Sequence, residues 1–392
     1  MKILYSHRTR SADGQYVHIE ALTQALAAEG CDLTICSPDG IEDFSRSPGR
    51  KMDAGAGEGS GLKTVLPKFA YEVLELAYSV PAWWRLRRAA RLAKPDFIYE
   101  RYNLFFLAGL WLKKQTGLPL ILEVNAPLRE ERQKHGGLAL GWLAAWAERK
   151  VWRGADMLLP VTQALAQTLI ETGIDPKKIR VMPNGIHADQ YEHVDGEAIK
   201  LRYNLHGKIV LGFTGFVRDW HGVDMILEYL STRDDPDLHC LIVGDGPHLP
   251  HLKEKVLKLS IEKQVTFTGV VQRSDLPAFV ASFDIALQPR VTAYASPLKL
   301  FEYMAAGKAI VAPAQSNIQE VLKDGEDALL FAPDSETSLF AALDRLNTDQ
   351  ALRDTLGEAA RQKIHDGDMT WAGNARKVIE IARALTSSRE IR

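Results

Sequence analysis

Short runs of Ile, Val and Leu recur along the whole chain, separated by longer stretches of helical period. The first six runs are Lys2–Tyr5, Leu33–Cys36, Phe97–Tyr99, Leu120–Val124, Met157–Val161 and Arg180–Met182. The second six are Ile209–Phe213, Cys240–Val243, Val265–Thr268, Ile285–Gln288, Ala309–Ala312 and Leu329–Phe331. They lack the polar alternation of a strand with one wet face, so they suit strands covered on both faces of a parallel sheet. Helices between them make βαβ units, and the fold class is α/β. The polar stretch Tyr191–Lys208 separates the two sets and reads as a linker. This gives one doubly wound domain over 1–190, a second over 209–370 and a last helix over 371–392. Two domains also suit 392 residues at roughly 150 per domain. Ligands of open α/β sheets bind outside the carboxyl ends of the strands, so two such domains facing each other imply a cleft.

Composition narrows the class. The chain has 48 Lys and Arg against 50 Asp and Glu, so no global basic field argues for nucleic acid. The longest apolar run, Gly136–Ala147, is shorter than the roughly 20 residues that span a bilayer. The start, MKILYSHRTR, lacks the apolar region of a signal peptide. Cys31, Cys36 and Cys240 form no CxxC pair and read as buried thiols of a reducing compartment. A cytoplasmic protein is expected.

Two segments break the βα pattern. Ser45–Gly61 has glycine at 49, 55, 57, 59 and 61. It connects no strand to a helix as a phosphate loop must, so it reads as a mobile loop, and its position would suit a lid. Val80–Pro95 holds Trp83, Trp84, Arg85, Arg87, Arg88, Arg91 and Lys94 without an acid. As a helix it puts Trp84, Arg88 and Arg91 on one face. Tryptophan with arginine suits an anionic membrane surface, so a peripheral membrane contact is one expectation. A solvated face with tryptophan in the core is the other.

Three stretches carry chemistry. In Ser296–Ala312, SPLKLFEYMAAGKAIVA, Pro297 suits a first helical turn and Ser296 can cap it. Such a helix start after a strand offers backbone N–H groups and a positive dipole end, a site for diphosphate. Lys299 adds charge there, and Glu302, one turn on, could accept from sugar or ribose hydroxyls. An ordinary capped helix reads equally well. In Leu211–Val223, LGFTGFVRDWHGV, Gly215 permits close approach, Arg218 could clamp a phosphate and His221 could donate to one. In Cys240–Pro247, CLIVGDGP, the Gly244-Asp245-Gly246 turn ends a buried strand. The pair in HLPH, His248 and His251, is interrupted by Pro250 with no carboxylate or cysteine to complete a metal set, and no metal is expected. GxSxG, GxxxxGK[ST] and HExxH are absent from the sequence.

In this order, these stretches resemble the retaining glycosyltransferases of family 4, which have the glycosyltransferase B (GT-B) fold of two Rossmann-like domains. ADMLLPVTQALAQTLIETGIDPKKIRVMPNGI (Ala155–Ile186) is similar to the family's AD helix and PNG turn. FTGVV, DIALQP and the terminal TWAGNARKVIEIARAL (Thr370–Leu385) extend the resemblance over nearly the whole chain. It implies a nucleotide-diphosphate sugar as co-substrate, with no other cofactor, held mainly by the second domain. Ser296, Pro297, Leu298 and Lys299 would meet the diphosphate and Glu302 the ribose. Gly244, Gly246, Gly269 and Val271 would lie near the base, with Gly215 and His221 also on the donor. Asn184 and Gly185 would shape the cleft, and the last helix would cross back onto the first domain. Five positions depart from the family pattern. Tyr294 stands where the first glutamate of the pair would be, Phe216 where the phosphate arginine would be, His221 where the lysine of the same turn would be, and Asn125 in the place of a histidine. The glycine loop after the first strand is reduced to Gly14.

The implied reaction is hexosyl transfer with retention, without metal. Arg218, Lys299 and the helix start would meet the charge developing on the leaving diphosphate. Asn125 would orient the sugar. Glu100, Arg101 and Glu123 are acceptor-side candidates or, equally, an internal ion pair, and Gly14 lies on the same side. The acceptor would be a saccharide or lipid-linked saccharide, in bacterial polysaccharide or glycoconjugate synthesis. A sugar-nucleotide 2-epimerase of the same architecture and a non-catalytic nucleotide-sugar sensor are the alternatives.

Overall fold

The computed structural model describes residues 1–9, 14–43, 66–233 and 235–390. The Ser45–Gly61 segment, expected as a loop or lid, lies outside them. The chain divides into two compact units, Met1–Pro183 with Trp371–Arg392, and Asn184–Thr370.

The first unit holds a six-stranded sheet: β1 (Lys2–Ser6), β2 (Asp32–Ser37), β3 (Gly40–Asp43), β4 (Phe97–Arg101), β5 (Leu120–Val124) and β6 (Met157–Pro160). Their spatial order is β3-β2-β1-β4-β5-β6. All neighbours are parallel except β3, which turns back antiparallel on β2. β4 and β5 are buried along their whole length, Glu100, Arg101 and Glu123 included. Arg180–Met182, expected as a strand, runs beside β6 and donates from Arg180 and Met182 to the Leu158 and Pro160 carbonyls. Pro160 and Pro183 have no N–H to give, so no ladder continues there.

The second unit repeats the plan with β7 (Ile209–Thr214), β8 (Leu238–Val243), β9 (Val265–Gly269), β10 (Ile285–Leu287), β11 (Ala309–Pro313) and β12 (Leu329–Phe331). The order β12-β11-β10-β7-β8-β9 is wholly parallel. Alternate residues enter opposite cores. Leu211, Phe213, Cys240 and Ile242 pack on one face, and Val210, Leu241 and Val243 on the other. This is why the runs show no polar alternation.

The helices used below are α1 (Gly14–Ala28), α2 (Lys68–Ala77), α3 (Ser79–Ala93), α4 (Gly141–Gly154), α5 (Leu298–Ala305) and α6 (Trp371–Glu390). The last helix, α6, returns to the first unit and packs on α1. Trp371, Ala375, Val378 and Ala382 are buried. Trp371 meets the His18 ring edge to face at 4.8 Å, and the Asn374 amide donates to the Pro183 carbonyl at 2.7 Å. The expected linker 191–208 is not one. Tyr191, Ile199 and Leu205 are buried in the second unit's core, and Glu197–Arg202 is helical. Few but regularly placed apolar residues anchor a segment whose composition is polar.

Burial of an indole at the α1–α6 contact predicts that Trp371→Ala costs about 3–5 kcal/mol. The check is a lowered urea midpoint for the first unit's unfolding.

Candidate functional site

In the second unit the site is built where β7, β8 and β10 end. Phe213, near the end of β7, lies beneath Lys299 in the first turn of α5, with Nζ 3.8 Å from the ring centre. That Nζ is buried and takes no hydrogen-bond partner among the described residues. Burial lowers the Lys299 pKa to about 7, against an opposing pull from Glu302. A first helical turn leaves backbone N–H groups unpaired. Here Leu300 bonds back to the Pro297 carbonyl, while Leu298 and Lys299 head the turn. Ser296 does not cap it, contrary to expectation. Pro297 occupies the capping position with no side-chain bond, and the Ser296 hydroxyl instead accepts from the Asn184 N–H at 3.1 Å. The Asn184 amide donates to the Ser296 carbonyl at 2.6 Å. The serine fixes the loop before the helix and leaves the helix start uncovered by a cap.

Beside Lys299 the β7 loop carries a second cation. The Arg218 guanidinium lies between two aromatic rings, 4.9 Å from Phe216 and 4.8 Å from Trp220. Such contacts orient a planar guanidinium without neutralising it. His221 follows in a 3₁₀ turn, and its Nδ1 accepts from the Arg218 N–H at 3.2 Å. Burial, then Lys299 and Arg218, lower its pKa to about 3. A neutral ring with Nδ1 accepting carries its proton on Nε2, which leaves a donor.

Two glycines let the strand-end loops touch. A Cβ on Gly244 would overlap the Gly215 carbonyl oxygen, and one on Gly246 would overlap the Val217 backbone. The loops are stitched by Gly215 N–H to Val243 O at 2.9 Å, Val217 N–H to Asp245 O at 2.8 Å and Gly244 N–H to Gly269 O at 3.0 Å. In the structure these glycines meet neighbouring backbone. Gly215 has φ +133°, and a Cβ there would sit 3.2 Å from Lys299 Nζ. Val271 rests partly buried against the core.

Glu302 is reached by three groups. The Tyr191 hydroxyl hydrogen-bonds it, and Lys299 and Arg273 act through charge, while burial raises its pKa overall. Tyr191 and Arg273 escaped the sequence reading, because one sat in the assumed linker and the other in an unremarkable turn. Tyr303 escaped too. Its hydroxyl accepts from the Thr214 N–H at 3.0 Å and so ties α5 to the end of β7. Its only sequence signal is an aromatic next to Glu302.

In the first unit the candidates converge on one carboxylate. Glu123 pairs with Arg101 and accepts from the Asn125 amide. Tyr99 Oη donates to it at 2.8 Å and His18 Nε2 lies 3.1 Å away. Burial raises the Glu123 pKa, but His18 and Arg101 reverse this and hold it well below the usual carboxylate range. Of the two expectations for Arg101 and Glu123, the structure has the internal ion pair. Glu100 is separate. It is buried, 3.2 Å from Ser6 Oγ, hydrogen-bonded by the Gly109 N–H, and its pKa is pushed by burial to about 8. Gly14 opens α1. Of the expected membrane residues, Trp84 and Arg88 are exposed, while Arg87 is half-buried over the Trp83 and Trp84 rings. Trp83 buries its indole nitrogen, and Arg85 turns inward to the Pro38 carbonyl and the Tyr78 hydroxyl.

The histidine pair needs a correction. Pro250 lies in the first turn of a helix, Leu249–Leu259, where no N–H is required. Asp224 supplies the carboxylate that the sequence did not reveal, 2.7 Å from His248 Nε2 and 3.3 Å from His251 Nε2. Lys255 Nζ lies 3.8 Å from the same carboxylate and 2.7 Å from Glu228. The five side chains form one polar cluster.

Two doubly wound sheets with their polar groups gathered at strand ends define the GT-B class of α/β proteins. Residues 13–185 match the glycosyl transferase 4-like domain and residues 197–363 match glycosyl transferases group 1. The chain belongs to the glycosyltransferases of this family-4 type. It is similar to an uncharacterised glycosyltransferase of Methanocaldococcus jannaschii, at 25% identity over 60% of each chain. It is also similar to the α-D-kanosaminyltransferase of Streptomyces kanamyceticus, at 24% over 64% of this chain and 66% of that one. The chain thus spans just under two thirds of the length of these relatives. Among solved structures, HepE of Anabaena in complex with UDP superposes with a TM-score of 0.74 over 98% of this chain and all of that one, at 16% identity.

Two predictions follow from the buried groups. Lys299→Met removes an unpartnered ammonium and should raise the thermal midpoint of the second unit. In the unaltered protein, the unfolded state binds the extra proton between pH 7 and 10, so stability rises with pH over that window. The variant should lose that slope in melts taken across it. Glu123→Gln should cost about 3–5 kcal/mol by leaving Arg101 buried without its partner. The Glu123 contribution is present at neutral pH and lost as pH falls below the ordinary carboxylate range, so the denaturant midpoints of variant and parent should converge in acid.

Proposed function

We propose that the chain is a retaining, metal-independent glycosyltransferase that moves a sugar from a nucleotide-diphosphate sugar to a saccharide or lipid-linked saccharide in bacterial glycoconjugate synthesis. The observation that carries this reading is the Lys299 ammonium, buried without a partner at the start of α5. A buried cation costs free energy unless an anion joins it, and a helix start favours that anion being phosphate. The UDP bound to HepE supports the same ligand class.

In the proposed reaction the bond from the anomeric carbon to the diphosphate oxygen breaks. The acceptor oxygen bonds that carbon on the same face, and the acceptor's proton passes to the departing phosphate oxygen. Lys299, Arg218 and the His221 Nε2–H meet the charge that develops on the diphosphate. These cationic and N–H groups are what support metal independence. Glu302 reads the ribose hydroxyls. On the acceptor side, the exposed aromatic and basic helices of the first unit favour a lipid-linked saccharide used at a membrane surface.

The test is a thermal-shift panel of UDP-, GDP- and ADP-sugars in chelator, followed by transfer assays on any hit. A matched donor should raise the midpoint by a few degrees, and Arg218→Ala should lower turnover by roughly tenfold or more. Donor affinity should weaken above pH 7 as the free enzyme's Lys299 deprotonates. Donor turnover to an epimer without acceptor would favour the epimerase, and binding without any turnover the sensor. No shift with any nucleotide would remove the donor reading.

A further inference from the structure

Three helices of the first unit carry large apolar side chains on their exposed faces. α2 buries Glu72 and Glu75 and exposes Phe69, Val73 and Leu74, with Phe69 at 55%. The Glu72 carboxylate accepts from the Ala139 and Leu140 N–H groups at 2.8 and 2.7 Å, and Glu75 takes both Arg132 terminal nitrogens. These contacts tie α2 to the segment that leads into α4. α4 in turn buries Glu148, paired with Arg129 at 2.9 Å, and exposes Trp142 and Trp146 at 71% and 39%. α3 follows α2 directly, carries no acid, and exposes Val80 and Trp84. Phe69, Val73, Val80 and Trp84 recur at helical spacing, and Trp142 and Trp146 are one turn apart.

Basic residues continue the same exposed faces. Arg88, Arg91 and Lys94 follow Trp84, and Arg149, Lys150 and Arg153 follow Trp146, all exposed. Outward aromatics bordered by arginine and lysine, with the acids inside, match the interface of an anionic bilayer. A second copy of the chain would set these basic borders against each other.

We infer that α2, α3 and α4 form a face that seats on an anionic lipid bilayer, with Phe69, Trp84 and Trp142 entering the headgroup layer and Arg88, Arg91, Arg149 and Lys150 meeting lipid phosphates. The inference deepens the lipid-linked acceptor reading, and it corrects the sequence-based choice of residues, since Trp83 and Arg85 face inward.

The test is co-sedimentation of the full chain with phosphatidylcholine vesicles with and without roughly one-third phosphatidylglycerol. Binding is expected to the anionic vesicles, weakening with salt, with little to the neutral ones. Phe69→Ser, Trp84→Ser and Trp142→Ser combined should lower the partition coefficient by roughly tenfold or more with an unchanged melting midpoint. A parent that stays in the supernatant with both vesicles, or a triple variant that sediments as the parent does, overturns the inference. So does a concentration-dependent dimer that the variant abolishes. The assay contains neither donor nor acceptor, so its failure leaves the transferase reading standing, and failure of the donor panel leaves the lipid face standing.

Discussion

A parallel sheet covered on both faces leaves its side chains no room for chemistry along the strands. β7 and β8 send alternate residues into two separate cores, so polar function is confined to where the strands stop. The second unit follows this constraint. Lys299, Arg218, His221 and the glycine turns are held by the carboxyl ends of β7, β8 and β10 or by the segments that follow them. The end of β7 is fixed to α5 through the Tyr303 hydroxyl, and the loops after β7 and β8 are fixed to each other through backbone bonds that only glycine at 244 and 246 allows. Lys299 therefore lies against Phe213 between two elements that are tied to each other.

The first unit handles charge the opposite way. Five of its carboxylates are turned inward and satisfied. Glu123 gathers Arg101, Asn125, Tyr99 and His18, Glu100 lies against Ser6 and the Gly109 N–H, and Glu72, Glu75 and Glu148 brace the helices. Such pairs define a conformation more than they add net stability. Their consequence is at the surface, where aromatic and basic side chains of these helices stand exposed while the acids are buried.

Much of this was legible in the sequence, for physical reasons. Buried parallel strands write themselves as unbroken apolar runs, so eleven of the twelve runs read are strands. The short antiparallel β3 was missed because Gly40–Asp43 has no such run. Arg180–Met182 looked like a strand because Val181 and Met182 extend an apolar run from Ile179, but Pro183 after it and Pro160 on β6 limit its bonding. The division between units was misread because Tyr191, Ile199 and Leu205 are thinly spread in a polar segment. The helix start after Pro297 could be read from Ser296–Glu302, yet the role of Ser296 could not, since its partner Asn184 lies 112 positions away. Asp224 beside His248, and Tyr99 and His18 beside Glu123, were hidden for the same reason.

The departures from the family pattern gain a physical account on the same terms. Phe216, where an arginine would stand, does not simply remove a cation. With Trp220 it clasps the guanidinium of Arg218 two residues on, and the π faces orient the ion while leaving its N–H groups unneutralised. His221, where a lysine would stand, is kept neutral by burial and by the two cations beside it, so it adds a hydrogen-bond donor and no third charge. A full complement of three cations would raise the mutual repulsion in a site whose Lys299 already sits near its titration point. Replacing one by a neutral imidazole lowers that repulsion. The backbone N–H groups that head the first turn of α5 are untouched by either change.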